Sequence, residues 1–301
     1  MSQHDHDEHR EGLEHDLPTM QDRGMVQRTP ATTWGRRGIF GLMGGVGAAT
    51  LVGCGSSDSS SASSSSSSNS TAPGGGQPPS GGGGGVSQAD LDDGDIPEET
   101  AGPYPADNSN GVDVLSESGI VRSDIRSSFG DASGVAEGVP LSIKLNVFDN
   151  NGDNLDAYAG AAVYLWHCNR EGLYSLYSEG ITEENYLRGV QEVADDGTVE
   201  FTSIFPACYS GRWPHLHFEV YGSIDDATKA SNKLRTSQIA LPQDICETVY
   251  KDADGYDTSQ TNLAAISLDS DNIFSDGYSL QMGKLTGSIG DGYTLKINVP
   301  V

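Results

Sequence analysis

Short segments in which apolar and polar residues alternate dominate this sequence from residue 141 onward. The clearest begins at Leu141 and reads Leu-Ser-Ile-Lys-Leu-Asn-Val-Phe, the period of two that buries one face of a β-strand and leaves the other face polar. Turn-forming residues such as Asp195-Asp196-Gly197 separate these segments. Helical periodicity is scarce, so the pattern predicts an all-β fold built as a single β-sandwich domain. The other predicted strands are 161–166, 198–204, 215–221, 236–240 and 293–299.

The first 85 residues have a different character. Serine dominates the stretch after Cys54, and glycine and proline follow up to Gly85. A segment with few apolar groups to bury cannot offset the chain entropy lost on ordering, so this stretch predicts a flexible, disordered tether. We therefore predict three parts: a targeting signal over residues 1–53, a disordered tether over residues 54–94, and the β-sandwich over residues 95–301.

Paired arginines, Arg36 and Arg37, precede an apolar, glycine-rich run that ends at Cys54. Residues 38–53 are too few for a comfortable bilayer span and contain too many glycines. The segment resembles a twin-arginine export signal that ends in a bacterial lipobox, which implies cleavage before Cys54 and acylation of its sulfur. The prediction is an exported protein at the cell envelope or extracellular face, held to a membrane by a lipid on Cys54. Which membrane carries the anchor is left open.

A large excess of acidic residues restricts the partners of this chain. It has 43 Asp and Glu against 17 Lys and Arg, a formal net charge of -26. This balance argues against nucleic acid as a partner, because a phosphate-binding surface must supply cationic groups that release counterions. The anionic surface suits a salty habitat or, equally well, an ordinary well-hydrated secreted protein.

Three cysteines follow Cys54 in the sequence, namely Cys168, Cys208 and Cys246. In an oxidising compartment this odd number permits one disulfide and one free thiol. The sequence does not choose the pair.

Three histidines lie beyond residue 86, and two of them form the segment His215-Leu216-His217 inside a predicted strand. Residues two apart on a strand project to the same face, so both imidazoles can reach one metal ion. The ordinary alternative is a pair of surface histidines on an edge strand.

The segments around these histidines carry a family resemblance. In their order along the chain they resemble the intradiol ring-cleavage dioxygenases, the catechol and protocatechuate group, from about Glu99 to Gln238. The resemblance implies a non-haem ferric ion, Fe(3+), held by two tyrosinates and two histidines. The segments are Glu99-Thr100-Ala101-Gly102-Pro103-Tyr104, Gly172-Leu173-Tyr174-Ser175, Tyr186-Leu187-Arg188-Gly189, Pro206-Ala207-Cys208-Tyr209 and Arg212-Trp213-Pro214-His215-Leu216-His217.

Carried over by motif, the resemblance assigns six residues. Arg212 falls where the family has an arginine against the substrate ring, and Gln238 falls where a glutamine lines the pocket. One turn departs from the family pattern, because Pro-Ala-Cys-Tyr replaces Pro-Gly-x-Tyr and Ala207 must accept the backbone angles of that glycine. The implied metal ligands are Tyr174, Tyr209, His215 and His217.

The implied reaction joins a catecholic small molecule to dioxygen. In the family the catechol displaces a hydroxide and one tyrosinate, here Tyr209, and each leaving group accepts a substrate proton. Oxygen enters between the two hydroxylated carbons to give a muconate-type diacid, while Arg212 stabilises negative charge on the ring. Ferric iron is a hard cation that favours anionic oxygen donors, which suits two phenolates. No organic cofactor is expected, and the ring substituents and oligomeric state are left open.

Two other function classes remain open from the sequence. One is a non-catalytic secreted β-sandwich binding module, and the other is a zinc hydrolase that uses His215 and His217. Convergence of two tyrosines on the two histidines is the feature that separates them from a dioxygenase. Outside the site, His167 is predicted to be a hydrogen-bonded core residue, Arg188 a structural ion-pair partner, and Trp213 a packing residue that also lines the pocket.

Overall fold

The computed structural model describes residues 94–151 and 155–301. The predicted targeting signal, the lipidated Cys54 and nearly all of the predicted tether lie outside the described residues, so these remain predictions. In the part of the chain that is described, no helix is long and apolar enough to cross a membrane.

Nine strands and two α-helices make up the regular structure of the described residues. The strands are β1 Pro140–Asn150, β2 Leu155–Ala157, β3 Ala162–Trp166, β4 Arg188–Glu192, β5 Thr198–Ile204, β6 His215–Tyr221, β7 Lys233–Ala240, β8 Lys284–Ser288 and β9 Gly292–Pro300. The helices are α1 Gln243–Asp252 and α2 Ser259–Ala264, and short 3-10 turns cover Asp226–Thr228, Ala230–Asn232 and Phe274–Asp276.

The strands form two sheets. One sheet has the order β2-β1-β9-β8, with β5 also paired to β1, and the other has the order β4-β3-β6-β7. All pairings are antiparallel except that of β1 with β9, which places Leu141 opposite Tyr293 in a parallel register. The predicted all-β sandwich is confirmed.

Packing between the sheets follows from the alternation of each strand. Leu141, Ile143 and Leu145 on β1 are fully buried, as are Leu216 and Phe218 on β6. Each such side chain contributes about 1.5–3 kcal/mol relative to its exposed state. The sheets are therefore held together by their inward faces, and the opposite face of β6 is left for other side chains.

Helix α1 packs on this core although the sequence pattern gave little helical signal. Its buried residues, Cys246, Val249 and Tyr250, recur at the spacing of one helical face. Asp244 in the first turn and Lys251 in the last turn complement the helix dipole. Three buried positions in a ten-residue helix are too few to stand out from the surrounding strands.

A second core covers the outer face of the four-stranded sheet. On that face Tyr164 and Trp166 of β3 and Tyr221 of β6 are fully buried. The segment that precedes β1 covers these rings with its own apolar side chains. Those residues are Ala106, Val114, Leu115 and Ile120. Strand β6 is consequently buried on both faces, which encloses the histidines it carries.

Candidate metal centre

Strand β6 places both histidines on the outer face of its sheet. His215 and His217 are 2% exposed and project away from Leu216 and Phe218, which belong to the core between the sheets. His217 Nε2 lies 3.1 Å from His215 Nε2, so the two imidazoles converge through the same ring nitrogen. Two buried imidazoles that approach this closely need further polar partners.

Two tyrosines from different loops supply those partners. Tyr174, between β3 and β4, places its Oη 3.2 Å from His217 Nε2. Tyr209, between β5 and β6, places its Oη 3.2 Å from His215 Nε2. The structure therefore brings the four predicted ligand side chains together, with two phenol oxygens and two imidazole nitrogens facing one small volume.

A bond on the far side of the ring orients His215. Its Nδ1 lies 2.5 Å from the carbonyl oxygen of Trp213, and because a carbonyl can only accept, Nδ1 carries the proton and Nε2 keeps its lone pair. The His217 ring stacks on Trp166, with ring centroids 5.0 Å apart and planes 6° apart. His217 Nδ1 has no hydrogen-bond partner among the described residues. Both imidazoles are thus held with Nε2 toward the centre.

Glycines allow the surrounding loops to approach. Gly172 has φ +86°, and a Cβ added there would lie 3.1 Å from the Cβ of Tyr209. Gly102 has φ +73°, and its added Cβ would lie 3.4 Å from Cε1 of His217. The left-handed backbone angle favours glycine at both positions.

Ala207 does not need the glycine-like backbone that the sequence comparison with the family suggested. It is not among the non-glycine residues with positive φ in the described chain. Its N–H donates to the carbonyl of Asn169 at 3.2 Å, and its side chain is buried. The alanine therefore fits this turn without left-handed strain.

Burial sets the protonation of the four side chains. Loss of hydration raises the pKa of Tyr174 well above its usual value and that of Tyr209 to about 12. The same cause lowers the pKa of both histidines well below the usual value. With no cation present all four groups are neutral, whereas a bound cation favours phenolate oxygens and unprotonated imidazoles.

Arg212 and Gln238, the two predicted pocket residues, also lie at this centre. Arg212 Nη1 is 3.4 Å from His215 Nε2, and Arg212 Nη2 donates to Gln238 Oε1 at 2.7 Å. Gln238 Nε2 in turn donates to the carbonyl of Thr100 at 2.9 Å. These hydrogen bonds connect the centre to Thr100, which belongs to the first segment that resembles the dioxygenases.

Asp271 is a site residue that the sequence analysis missed. Its carboxylate accepts from Arg212 Nε at 2.9 Å, and both side chains are almost completely buried. The two residues are 59 positions apart, and Asp271 lies in a loop with other acids, so nothing in the sequence distinguishes it.

Arg188 corrects a prediction, because it forms no ion pair with any described acid. Its guanidinium donates instead to Ser175 Oγ and Ser175 O at 3.1 and 3.0 Å, and to Tyr164 Oη and Pro105 O at 3.0 and 3.1 Å. Neutral oxygens thus satisfy the buried cation. Since Ser175 follows Tyr174, Arg188 ties the loop that carries this tyrosine to the segment covering the sheet.

The remaining predictions concern residues around the centre. His167 is a hydrogen-bonded core residue, with Nε2 2.6 Å from Ser203 Oγ and a pKa that burial lowers to about 4. Trp213 packs in the core and donates through Nε1 to the carbonyl of Leu241. Cys168, Cys208 and Cys246 are all buried free thiols, so no disulfide links them.

The donor set decides which kind of metal fits. Among the described residues there is no group of three or more His, Cys, Asp or Glu that could hold a metal ion. The groups that face the two imidazoles are phenols, which are not common zinc ligands. Two potential phenolates with two neutral imidazoles suit a hard, highly charged cation.

Comparisons with known proteins match part of this chain to dioxygenases. Residues 123–244 match a family model described as Dioxygenase, a range that includes the four converging side chains, Arg212 and Gln238. A stretch of 50 residues is 40% identical to the chlorocatechol 1,2-dioxygenase of Rhodococcus opacus. It covers 17% of this chain and 20% of the relative, so the match spans about a fifth of that protein's length.

A solved structure shares the fold. An intradiol ring-cleavage dioxygenase from Tetranychus urticae superposes with a TM-score of 0.52 and 23% sequence identity, covering 69% of this chain and 94% of the other. Residues 123–244 thus match a dioxygenase family model, and the described domain has the fold of this intradiol ring-cleavage dioxygenase.

Proposed function

We propose that this protein is a non-haem, Fe(III)-dependent dioxygenase that cleaves a catecholic ring between its two hydroxylated carbons and forms a muconate-type diacid. The observation that carries the proposal is the convergence of two phenol oxygens and two imidazole nitrogens, linked by contacts of 3.1 to 3.2 Å. A non-catalytic binding module has no need for two tyrosines and two histidines that converge in a buried position. No observation favours that alternative.

Tyr174, Tyr209, His215 and His217 would hold the iron. When bound, ferric iron supplies the Lewis acidity and the electron acceptance that make a catecholate ring reactive toward dioxygen. The neutral Nε2 atoms and the two phenol oxygens are the donors that this cation requires. Trp213 O keeps the tautomer of His215 that leaves Nε2 available.

The two tyrosines differ in exposure, which suits different roles. Tyr174 is 2% exposed, and Ser178 Oγ accepts its backbone N–H at 2.9 Å. Tyr209 is only partly buried, so it lies on the side that substrate can reach. Because burial raises its pKa to about 12, a Tyr209 phenolate would be a strong base, suited to accept the proton of a catechol hydroxyl.

Arg212 and the aromatic rings complete the pocket. Arg212 Nη1 lies 3.4 Å from His215 Nε2, where a positive group would stabilise negative charge that develops on the ring. The ring of Tyr104 packs against that of Tyr174, with ring centroids 4.7 Å apart. These groups orient the substrate and lower the local dielectric constant.

Visible spectroscopy of protein purified with iron tests the proposal. Tyrosinate-to-ferric charge transfer should colour the protein burgundy, and Tyr174→Phe should weaken the band, whereas Tyr158→Phe, a partly buried tyrosine away from the centre, should leave it unchanged. Oxygen uptake with a panel of catechols should disappear in His217→Ala. A colourless protein with confirmed full iron loading contradicts the proposal, as does unchanged uptake in His217→Ala.

We further propose that the protein is exported and tethered by a lipid on Cys54. Arg36, Arg37 and the apolar run before Cys54 support this placement. The long polar tract that follows would separate the dioxygenase domain from the membrane surface.

A further inference from the structure

Asp271 is held more firmly than a surface acid could be. It is fully buried, and each carboxylate oxygen accepts two N–H groups. Oδ2 accepts from Arg212 Nε at 2.9 Å and Trp213 N at 2.7 Å, and Oδ1 accepts from Ile273 N at 2.8 Å and Phe274 N at 3.2 Å. These four bonds fix the carboxylate and commit both of its oxygens.

The bond to Asp271 fixes one edge of the Arg212 guanidinium, and Gln238 fixes another. Nε is bound to Asp271 and Nη2 to Gln238 Oε1, which leaves Nη1 directed at the centre, 3.4 Å from His215 Nε2. A planar guanidinium with two edges bound has one orientation. Asp271 therefore decides which nitrogen of Arg212 meets the substrate.

The same bond pairs the positive charge of Arg212 with a buried carboxylate. Arg212 and Asp271 have side-chain exposures of 3% and 0%, so the ion pair is shielded from water. Arg188, the other guanidinium whose charge acts on His217, donates to four neutral oxygens. Glu99 is partly buried, and its carboxyl lies within electrostatic range of Arg212, Asp276 and Asp271.

Of the described residues, the two arginines whose charges act on His217 are both committed to other partners, so neither is free to pair with an anionic substituent on the ring. Transfer of a carboxylate into a buried site is unfavourable unless a cation pairs with it. An unpaired Arg212 could fill that role, but its charge is already balanced by Asp271. A catechol with no charged substituent needs only the directed Nη1 and the metal ligands.

We propose that Asp271 is a positioning and specificity-determining residue: it directs Arg212 and offsets part of its charge, so that the site takes uncharged catechols in preference to catechols that carry a ring carboxylate. This inference rests on the proposed function. Asp271 lies beyond residues 123–244, the part that matches the family model.

The test compares the dissociation constants of catechol and 3,4-dihydroxybenzoate by anaerobic spectral titration of the iron-loaded protein. Wild type should bind catechol more tightly. Asp271→Asn should reduce the ratio of the dissociation constant of 3,4-dihydroxybenzoate to that of catechol about tenfold. Arg212→Gln, which leaves the charge of Asp271 without a partner, should increase this ratio by a similar factor. A unit charge at about 8 Å, with an effective dielectric constant near 20, is sufficient for such an effect. Asp269→Asn, which removes an exposed acid two residues away, should leave the ratio unchanged.

Opposite shifts are the signature of charge compensation, because general damage to the site would move both variants in the same direction. Shifts of the same sign, or a wild type that binds the carboxylate at least as tightly as catechol, overturn the proposal. If Asp271→Asn does not fold, the double variant Arg212→Gln with Asp271→Asn restores a neutral pair and should return the ratio close to that of wild type; a ratio that stays at the Arg212→Gln value overturns the proposal.

Measuring oxygen uptake distinguishes a failure of the proposed role of Asp271 from a failure of the proposed dioxygenase activity. A wild type that binds catechol and consumes no oxygen contradicts the dioxygenase activity, while the ratio of dissociation constants still decides the role of Asp271. A wild type that binds neither compound overturns both.

Discussion

Gly172→Ala should perturb Tyr174 and Tyr209, the two tyrosines of the proposed metal centre, through a single methyl group. Gly172 lies two residues before Tyr174, has φ +86°, and its added Cβ would come within 3.1 Å of the Cβ of Tyr209. Gly180, in the same loop, has φ +85° with nothing within 4 Å of its added Cβ. Gly180→Ala is therefore a matched control that carries the same backbone strain and no clash.

The expected magnitudes follow from these two contributions. Alanine in the left-handed region costs about 1–2 kcal/mol at either position. The close Cβ contact adds overpacking of about 1–3 kcal/mol at Gly172 alone. Because about 1 kcal/mol lowers the Tm of a domain of this size by roughly 2–4 °C, Gly172→Ala should melt several degrees below Gly180→Ala.

Thermal unfolding of the metal-free proteins measures the difference in stability between the two variants. The tyrosinate-to-iron absorption of the iron-loaded proteins reports whether the tyrosines still contact the metal. Displacement of Tyr209 should weaken that absorption in Gly172→Ala and leave it intact in Gly180→Ala. Equal Tm values and equal spectra for the two variants would refute the reasoning, since the clash with Tyr209 would then have no effect.

Two further predictions concern pH and location. Burial, together with the charge of Asp276, raises the pKa of Glu99 to about 7; a carboxyl that is protonated more readily in the folded state than in the unfolded state makes stability fall as pH rises from about 4.5 to 7. Glu99→Gln should remove this part of the dependence of stability on pH, measured as the difference in Tm between pH 5 and pH 7.5. An unchanged difference in Tm would contradict the prediction. Cys54→Ala should release the exported protein from the membrane fraction, detected by fractionation and by loss of labelling with an alkyne fatty acid; retention in the membrane would argue against the anchor.

Strands were predictable where one face alone carries the apolar residues. β5 and β6 have the predicted bounds, and β7 begins three residues earlier than expected, at Lys233. β4 was missed because Arg188–Glu192 is short and contains a glycine, and its position depends on pairing with β3. Its buried arginine was expected to meet an acid, but Ser175, Tyr164 and Pro105 supply neutral oxygens instead.

The residues of the candidate site likewise divide into those that local sequence motifs predict and those that only the fold brings together. The four converging side chains, Arg212 and Gln238 lie in segments whose order identifies them. Asp271 is one of 43 acidic residues, and only the fold brings its carboxylate to Arg212. Long-range partners of this kind leave no local pattern, because their spacing depends on the path of the whole chain.

The parallel pairing of β9 with β1 has a consequence for how the chain acquires its structure. β9 lies between β1 and β8, so the interior of this sheet stays open until residues about 150 positions apart in sequence have met. Contacts of such long range slow folding, and an unpaired β1 exposes backbone groups that other chains can recruit. A ribosome must therefore release β9 before this sheet can close, and until then the nascent protein is susceptible to aggregation.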